Sequence, residues 1–418
     1  MEKLVINGGN KLFGEVRISG AKNSALPILS AVLLAEGEYL LRNVPQLRDI
    51  STMFKVLDSL GVTAKQIDND VTVINTENPE LFTADYELVR TMRASVLVLG
   101  PLLAKRGAAK VSLPGGCAIG ERPVDLHIKA LAQMGAEIEV EHGYINAQCK
   151  KLKGAEIVFD IVTVTGTENI MMAACLADGK TVIKNAAQEP EVVDLARFLK
   201  KMGAEIKGEG TKTIEITGVK SLNPANYTVM PDRIEAGTFL AAVAAAGGNI
   251  TIKDSPVWAM NSVIEKFKEI GLDMDITDNT IVARMEQKPK AVDITTLPYP
   301  GFPTDMQAQF MAVMALSEGL SVITENIFEN RFMHVAELKR MGADIKLKDR
   351  SAIVKGGNKL TGAHVMASDL RASASLVVAA LAADGESQVH RIYHLDRGYE
   401  KFDEKLKFLG ADIKREKE

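Results

Sequence analysis

Three cysteines in 418 residues are too few for a disulfide framework, and Cys117, Cys149 and Cys175 stand at no spacing that holds a metal. One tryptophan and seven tyrosines, none alternating with basic residues, offer no stacking platform for nucleic-acid bases. An excess of either charge is also missing. Lys and Arg number 50 against 54 Asp and Glu, a net charge of −4, so no global basic field invites nucleic acid or an anionic membrane. The apolar runs fall short of the ~20 residues that span a bilayer. MEKLVINGG at the start lacks the basic segment and apolar run of a secretory signal. His-Glu-x-x-His is absent, and no Gly-x-Gly-x-x-Gly opens a helix after a strand. DGKT at Asp178 to Thr181 ends like a P-loop, but Ala174 stands where the first glycine belongs and a strand pattern follows. A soluble cytoplasmic protein is the expectation, and any anion site has to be local.

What the chain does have is repetition. SLGV, QMGA, KMGA, EIGL, RMGA and FLGA each end an amphipathic helix pattern with glycine and an apolar residue, at Gly61, Gly135, Gly203, Gly271, Gly342 and Gly410. These lie 74, 68, 68, 71 and 68 residues apart, so one unit of about 70 residues is used six times. Each unit carries a second helix, nearly apolar all round and closed by glycine: Ser24 to Gly37, Arg93 to Gly107, Asn169 to Gly179, Glu235 to Gly248, Asp305 to Gly319 and Arg371 to Gly385. Glycine beyond a helix takes the left-handed conformation that satisfies the last carbonyls. Periodicity makes the second kind of helix buried and the first kind half wet. Strand patterns such as KTVIKNA and TIEITGV follow both, giving an α/β unit.

The sixth unit stops soon after Gly410, without the strands that follow the same point in the fifth. VINGGNKLFGEV near the N-terminus matches IVKGGNKLTGAHV from Ile353, sharing Gly-Gly-Asn-Lys-Leu at Gly8 to Leu12 and Gly356 to Leu360. Residues 1–21 are therefore expected to pair with the C-terminal half. That predicts two domains of three units, one spanning 22–229 and the other 1–21 with 230–418. A chain of this length exceeds one core and fills two.

Chemistry is expected at the starts of the six buried helices, where unpaired amides and a partial positive charge attract phosphate and carboxylate. There stand Lys22-Asn23-Ser24, Arg93-Ala94-Ser95, Thr167-Glu168-Asn169, Asp232-Arg233, Thr304-Asp305 and Asp369 with Arg371 and Ser373. Asp305 and Asp369 have a plainer reading as helix caps. PGGCAIGERP, residues 114–123, has three glycines and two prolines in ten residues and reads as a loop. Cys117 lacks apolar neighbours there and reads as an exposed, mostly protonated thiol; Cys175, inside MMAACLA, reads as a small buried hydrophobe. His127 follows Asp125 by two residues, as a ligand contact or a surface histidine.

Lys22-Asn23, Arg93, PGGCAIGERPVDLH, PDRIEAGTF at 231–239, FPTDMQAQF at 302–310, ENRFMH at 329–334, DLRASAS at 369–375 and DRGYE at 396–400 together give the chain a resemblance. Over essentially its whole length it resembles the UDP-N-acetylglucosamine 1-carboxyvinyltransferases, within the EPSP synthase-like enolpyruvyl transferases. The resemblance implies two inside-out α/β barrel domains of three units each, with the active site in the interdomain cleft. It also implies addition of the sugar's 3-hydroxyl to phosphoenolpyruvate and loss of phosphate, the first committed step of peptidoglycan synthesis. Neither metal nor organic cofactor is implied.

By the same resemblance Lys22, Arg122 and Arg397 would hold phosphoenolpyruvate, and Asn23 would touch substrate and intermediate. Cys117 would donate the proton and be the residue that fosfomycin alkylates, while Asp305 would take the hydroxyl proton. Arg93, Arg331, Asp369 and Arg371 would complete the charged cleft. Arg122, Pro123, Val124, Asp125 and Leu126 would line the uridine, with His127 near the nucleotide and Ile327 near the sugar. Where the family often has a lysine and Ser-Val-Gly, this chain has Ile161 and Thr163-Val164-Thr165, and the Thr163 hydroxyl with the backbone amides of Val164 and Thr165 would serve the diphosphate. Two charged walls on separate domains imply closure on the sugar nucleotide, with the 114–123 loop folding over.

Overall fold

The computed structural model describes residues 2–76, 78–89, 92–113 and 124–418, and the side chain of Arg93 is not among what it describes. Helices of the amphipathic kind end alike. In Asp125–Gln133 the amide of Gly135 donates to Ala132 O at 2.9 Å and that of Ala136 to Leu131 O at 3.1 Å, the paired bonds of a Schellman motif. The same pair closes the helices before Gly203, Gly271, Gly342 and Gly410. All six of these glycines have positive φ, from 80° to 106°.

The glycines of the second series act differently from the expectation. Gly107 alone among those six is a left-handed cap, following Leu99–Arg106 with φ 73°. Elsewhere the helix stops earlier and the glycine, also at positive φ, begins or precedes a strand, as Gly37 does in Gly37–Arg42 and Gly248 in Gly248–Lys253. The stretch from Arg93 opens as a 3-10 helix, Arg93–Val98, before turning α-helical.

Six helices of this buried kind are labelled α1 (Lys22–Ala31), α2 (Leu99–Arg106), α3 (Val164–Ala174), α4 (Arg233–Ala246), α5 (Gln307–Leu316) and α6 (Leu370–Ala382). Having no wide polar face, they bury nearly every residue, and α4, α5 and α6 pack on one another. Cys175, just past α3, is wholly buried, and burial pushes its thiol pKa up to about 12.

Among the described residues the strands form six separate four-stranded sheets of one design, none of which closes into a continuous barrel. In one of them Glu156–Val158 runs parallel to Lys180–Lys184, which pairs antiparallel with Thr213–Thr217, itself antiparallel to Glu205–Lys207. The strand KTVIK alternates buried and wet residues, as a sheet with one covered face requires. The pairing expected for the N-terminal residues is present. Glu2–Asn7 sits between Glu386–His390 and Asp412–Lys417, matching Leu4 to Val389 and Ile6 to Ile413. It takes the place that Ser351–Lys355 holds in the preceding sheet, which explains the shared Gly-Gly-Asn-Lys-Leu. Leu12–Arg17 then lies parallel to Gly248–Lys253.

The described residues form two compact units, a central one of residues 20–113 and 124–230 and a C-terminal one of residues 2–19 and 231–418. Each has its own apolar core. No helix among the described residues is long and apolar enough to cross a membrane.

Candidate active site

In the C-terminal unit, the sequence Phe302-Pro303-Thr304-Asp305 leads into α5 through a 3-10 turn, Thr304–Met306. Asp305 is the middle residue of that turn. Its carboxylate is held by two arginines from elsewhere in the unit: Oδ1 accepts from Arg331 Nη2 at 2.7 Å and Oδ2 from Arg371 Nε at 3.1 Å. Both arginines are almost wholly buried, whereas Asp305 keeps about a quarter of its side-chain surface. Asp369, by contrast, is a cap. Its Oδ1 accepts from the amides of Arg371 at 2.8 Å and Ala372 at 3.0 Å, which fixes the first turn of α6 and the root of Arg371.

Residues beyond the expected set build this clamp. Arg331 Nη1 donates to Thr304 Oγ1 at 2.8 Å, and Thr304 donates to Glu325 Oε2 at 2.8 Å. Glu325 Oε1 takes the amides of Ile327 at 2.8 Å and Phe328 at 3.1 Å, setting the turn that carries Ile327. The guanidinium of Arg371 lies 5.2 Å from the ring centre of Tyr399, whose hydroxyl is 2.9 Å from both Thr238 Oγ1 and Gln309 Nε2. Gln309 also donates to Asp305 O at 2.9 Å. Burial alone would lower the pKa of Arg371, but Tyr399, Asp305 and Asp232 outweigh it and raise the value above the ordinary one. Burial pushes His334 down to about 4, Asp369 opposing and Arg331 adding to the fall. Arg397 ends the 3-10 helix Ile392–Arg397 and is half-buried; its charge, after burial, helps lower the pKa of His394.

The central unit holds a second set. Lys22 is the first residue of α1, and its Nζ donates to Asp49 Oδ2 at 3.1 Å, both side chains buried. Asn23, next to it, is exposed. Thr163 caps α3 by accepting from the Gly166 amide at 3.2 Å, with Val164 and Thr165 in the first turn, half-buried. His127 is buried against them, 3.3 Å from Thr165 Oγ1, so the surface reading of this histidine is corrected. Leu126 is buried, Val124 half-buried, and Asp125 and Ile161 are exposed. Cys117, Arg122 and Pro123 lie outside the described residues, as does the side chain of Arg93.

The structure thus gathers Asp305, Arg331, Asp369 and Arg371 in one unit and Thr163, Thr165 and His127 in the other. Asp49, Glu325, Gln309, Tyr399 and His334 escaped the sequence reading. Three of them had a signal: Gln309 lies one turn after Asp305 in DMQAQF, and His334 and Tyr399 sit inside ENRFMH and DRGYE. Among the described residues no group of His, Cys, Asp and Glu is arranged to hold a metal ion.

A sixfold unit of buried helices under small sheets carries a carboxylate between two arginines at a helix start, and the proteins similar to this chain are enolpyruvyl (carboxyvinyl) transferases. Residues 6–406 match the profile of EPSP synthase (3-phosphoshikimate 1-carboxyvinyltransferase). UDP-N-acetylglucosamine 1-carboxyvinyltransferases of Geobacter metallireducens and Geotalea uraniireducens are each 57% identical to this chain over 418 residues, covering all of both sequences. The enolpyruvyl transferase NikO of Streptomyces tendae superposes with a TM-score of 0.89 at 25% identity, over 99% of this chain and 98% of its own. EPSP synthase of Acinetobacter baumannii shares the fold, with a TM-score of 0.76 at 20% identity over the full length of both. The chain belongs to the EPSP synthase family.

Proposed function

We propose that this transferase moves the enolpyruvyl group of phosphoenolpyruvate onto the 3-hydroxyl of UDP-N-acetylglucosamine and releases phosphate, the step that commits the sugar nucleotide to peptidoglycan in the cytoplasm. Two observations support the acceptor: the 57% identity to full-length relatives of that name, and the DMQAQF and ENRFMH segments that build the Asp305 clamp. EPSP synthase, at 20% identity, shares the fold alone.

The observation that carries the chemistry is the carboxylate of Asp305 between Arg331 and Arg371. Each carboxylate oxygen has two acceptor positions, so Asp305 can take a substrate hydroxyl while the arginines orient it. In the addition, the sugar oxygen bonds to the central carbon of phosphoenolpyruvate, its proton passes to Asp305, and the methylene carbon gains a proton from Cys117. In the elimination, the methyl carbon so formed returns a proton to the Cys117 thiolate while the C–O bond to phosphate breaks, the proton held by Asp305 leaves with the phosphate, and the enol ether remains. Lys22, Arg122 and Arg397 hold the phosphate and carboxylate, with charge-assisted bonds of roughly 1.5 to 3 kcal/mol each. Asn23, Arg93 and the residues from Pro123 to His127 serve the sugar nucleotide, and its diphosphate meets Thr163, Val164 and Thr165.

The test is phosphate release from phosphoenolpyruvate with UDP-N-acetylglucosamine, run beside shikimate 3-phosphate, with and without fosfomycin. Release with the sugar nucleotide alone, stopped by fosfomycin in the native chain but not in Cys117→Ser, is the expected result. Release with shikimate 3-phosphate alone would replace this acceptor by the other.

A further inference from the structure

The buried side chain of Asn169, in the second turn of α3, ties three segments of the central unit together. Its Oδ1 accepts from the Gly100 amide at 2.6 Å. Its Nδ2 donates to Val96 O at 3.1 Å and faces Nδ1 of His127 at 2.9 Å. The two backbone partners settle which end is which, because an amide N–H only donates and a carbonyl only accepts. Asn169 cannot be turned round, so its NH2 is what meets the histidine. A ring nitrogen that meets an NH2 group has to accept, and the ring hydrogen of neutral His127 then sits on Nε2. Nε2 is the atom 3.3 Å from Thr165 Oγ1, so the ring donates to that hydroxyl. With one lone pair so occupied, Thr165 does not donate to the histidine, and its hydroxyl hydrogen is left for another acceptor.

We propose that Asn169 is a positioning residue: it fixes His127 as an Nε2–H donor, and His127 turns the Thr165 hydroxyl hydrogen toward the diphosphate of the sugar nucleotide. This rests on the diphosphate reading of the start of α3 given above. No Lys or Arg lies between Glu156 and Asn169, so this turn itself offers the anion hydroxyls and amides, and the direction of each hydrogen counts. Asn169→Asp would put an acceptor opposite Nδ1, draw the ring hydrogen there and leave Nε2 a lone pair, so that Thr165 donates to the histidine instead of the ligand.

The tautomer is read directly by two-bond 1H–15N NMR of the native chain, the His127 signals being those lost in His127→Gln. An Nε2–H ring with an unprotonated Nδ1 is expected, and an Nδ1–H ring overturns the proposal. Coupling is read by calorimetry with UDP. Thr165→Val and Asn169→Asp should each weaken binding about tenfold, the size of one lost neutral hydrogen bond, Thr165→Ser should restore it, and the double variant should bind no worse than the weaker single one. Losses that multiply to about a hundredfold, or UDP binding indifferent to Thr165→Val, overturn it. Should Asn169→Asp not fold, His127→Leu removes the same donor in the same cycle. UDP binding with this pattern but no turnover of UDP-N-acetylglucosamine would sink the proposed reaction and leave this inference standing.

Discussion

Arg371 Nε lies 3.1 Å from Asp305 Oδ2, while the two terminal nitrogens of the same buried guanidinium have no well-aligned acceptor among the described residues beyond the contact with Tyr399. Leaving buried charged donors without acceptors is costly, about 1–3 kcal/mol each or more. The arrangement makes sense if an anion supplies the acceptors, and Asp305 then aligns Arg371 for it.

Arg371→Lys tests this. Lysine keeps the charge but loses the planar fork that grips Asp305 and an oxyanion together. KM for phosphoenolpyruvate should rise at least about tenfold, the value of one charge-assisted bond. An unchanged KM in a variant that melts like the native chain would mean that the terminal nitrogens face no substrate.

The two helix-start aspartates should part company on substitution. Asp305→Asn leaves an oxygen for one arginine but removes the proton acceptor, so kcat should fall by about a hundredfold or more with UDP-N-acetylglucosamine binding retained. Asp369→Ala removes a cap and should lower unfolding free energy by about 0.5–2 kcal/mol. If Asp305→Asn lost nucleotide affinity with kcat unchanged, Asp305 would be a contact and no base.

How far the sequence led is clear from these two residues. Both are Asp at the start of an apolar helix, and local pattern assigns both a capping role; only the fold brings Arg331 from the ENRFMH turn and Arg371 from α6 against Asp305. The sixfold glycine spacing foretold the repeated unit because a glycine at positive φ ends one helix of each, and the shared Gly-Gly-Asn-Lys-Leu foretold the N-terminal strand. The second glycine series misled as to helix ends, since positive φ serves a strand start as well as a helix end. Asp49, paired with Lys22, left no trace because such a partner is chosen by packing between helices far apart in sequence.

His334 makes a pH prediction. Its folded pKa is about 4 against an ordinary 6.5, burial being the chief cause, so the unfolded chain binds the proton more tightly. Its contribution is whole above pH 6.5 and is lost as pH falls toward 4, by about 1.4 kcal/mol per unit. Replacing it with Gln should flatten that part of the profile. Melting temperatures of the native chain and His334→Gln at pH 7.5 and 4.5 measure the difference, and parallel losses would show that His334 is not the group responsible.

Two glycines separate backbone strain from close packing. A Cβ on Gly135 meets nothing within 4 Å, but φ there is +93°, so Gly135→Ala carries strain alone, about 1–2 kcal/mol. A Cβ on Gly100 would come 2.3 Å from Asn169 Oδ1 and 2.5 Å from Asn169 O. The backbone oxygen cannot step aside as a flexible side chain could, so α2 and α3 have to separate and the bonds of Asn169 are lost with them. Gly100→Ala should therefore cost about 3 kcal/mol or more in urea unfolding and also weaken UDP binding, whereas Gly135→Ala should leave UDP binding alone. Equal losses of stability, with UDP binding intact in both, would mean that the close approach of Gly100 to Asn169 matters neither to the core nor to the nucleotide.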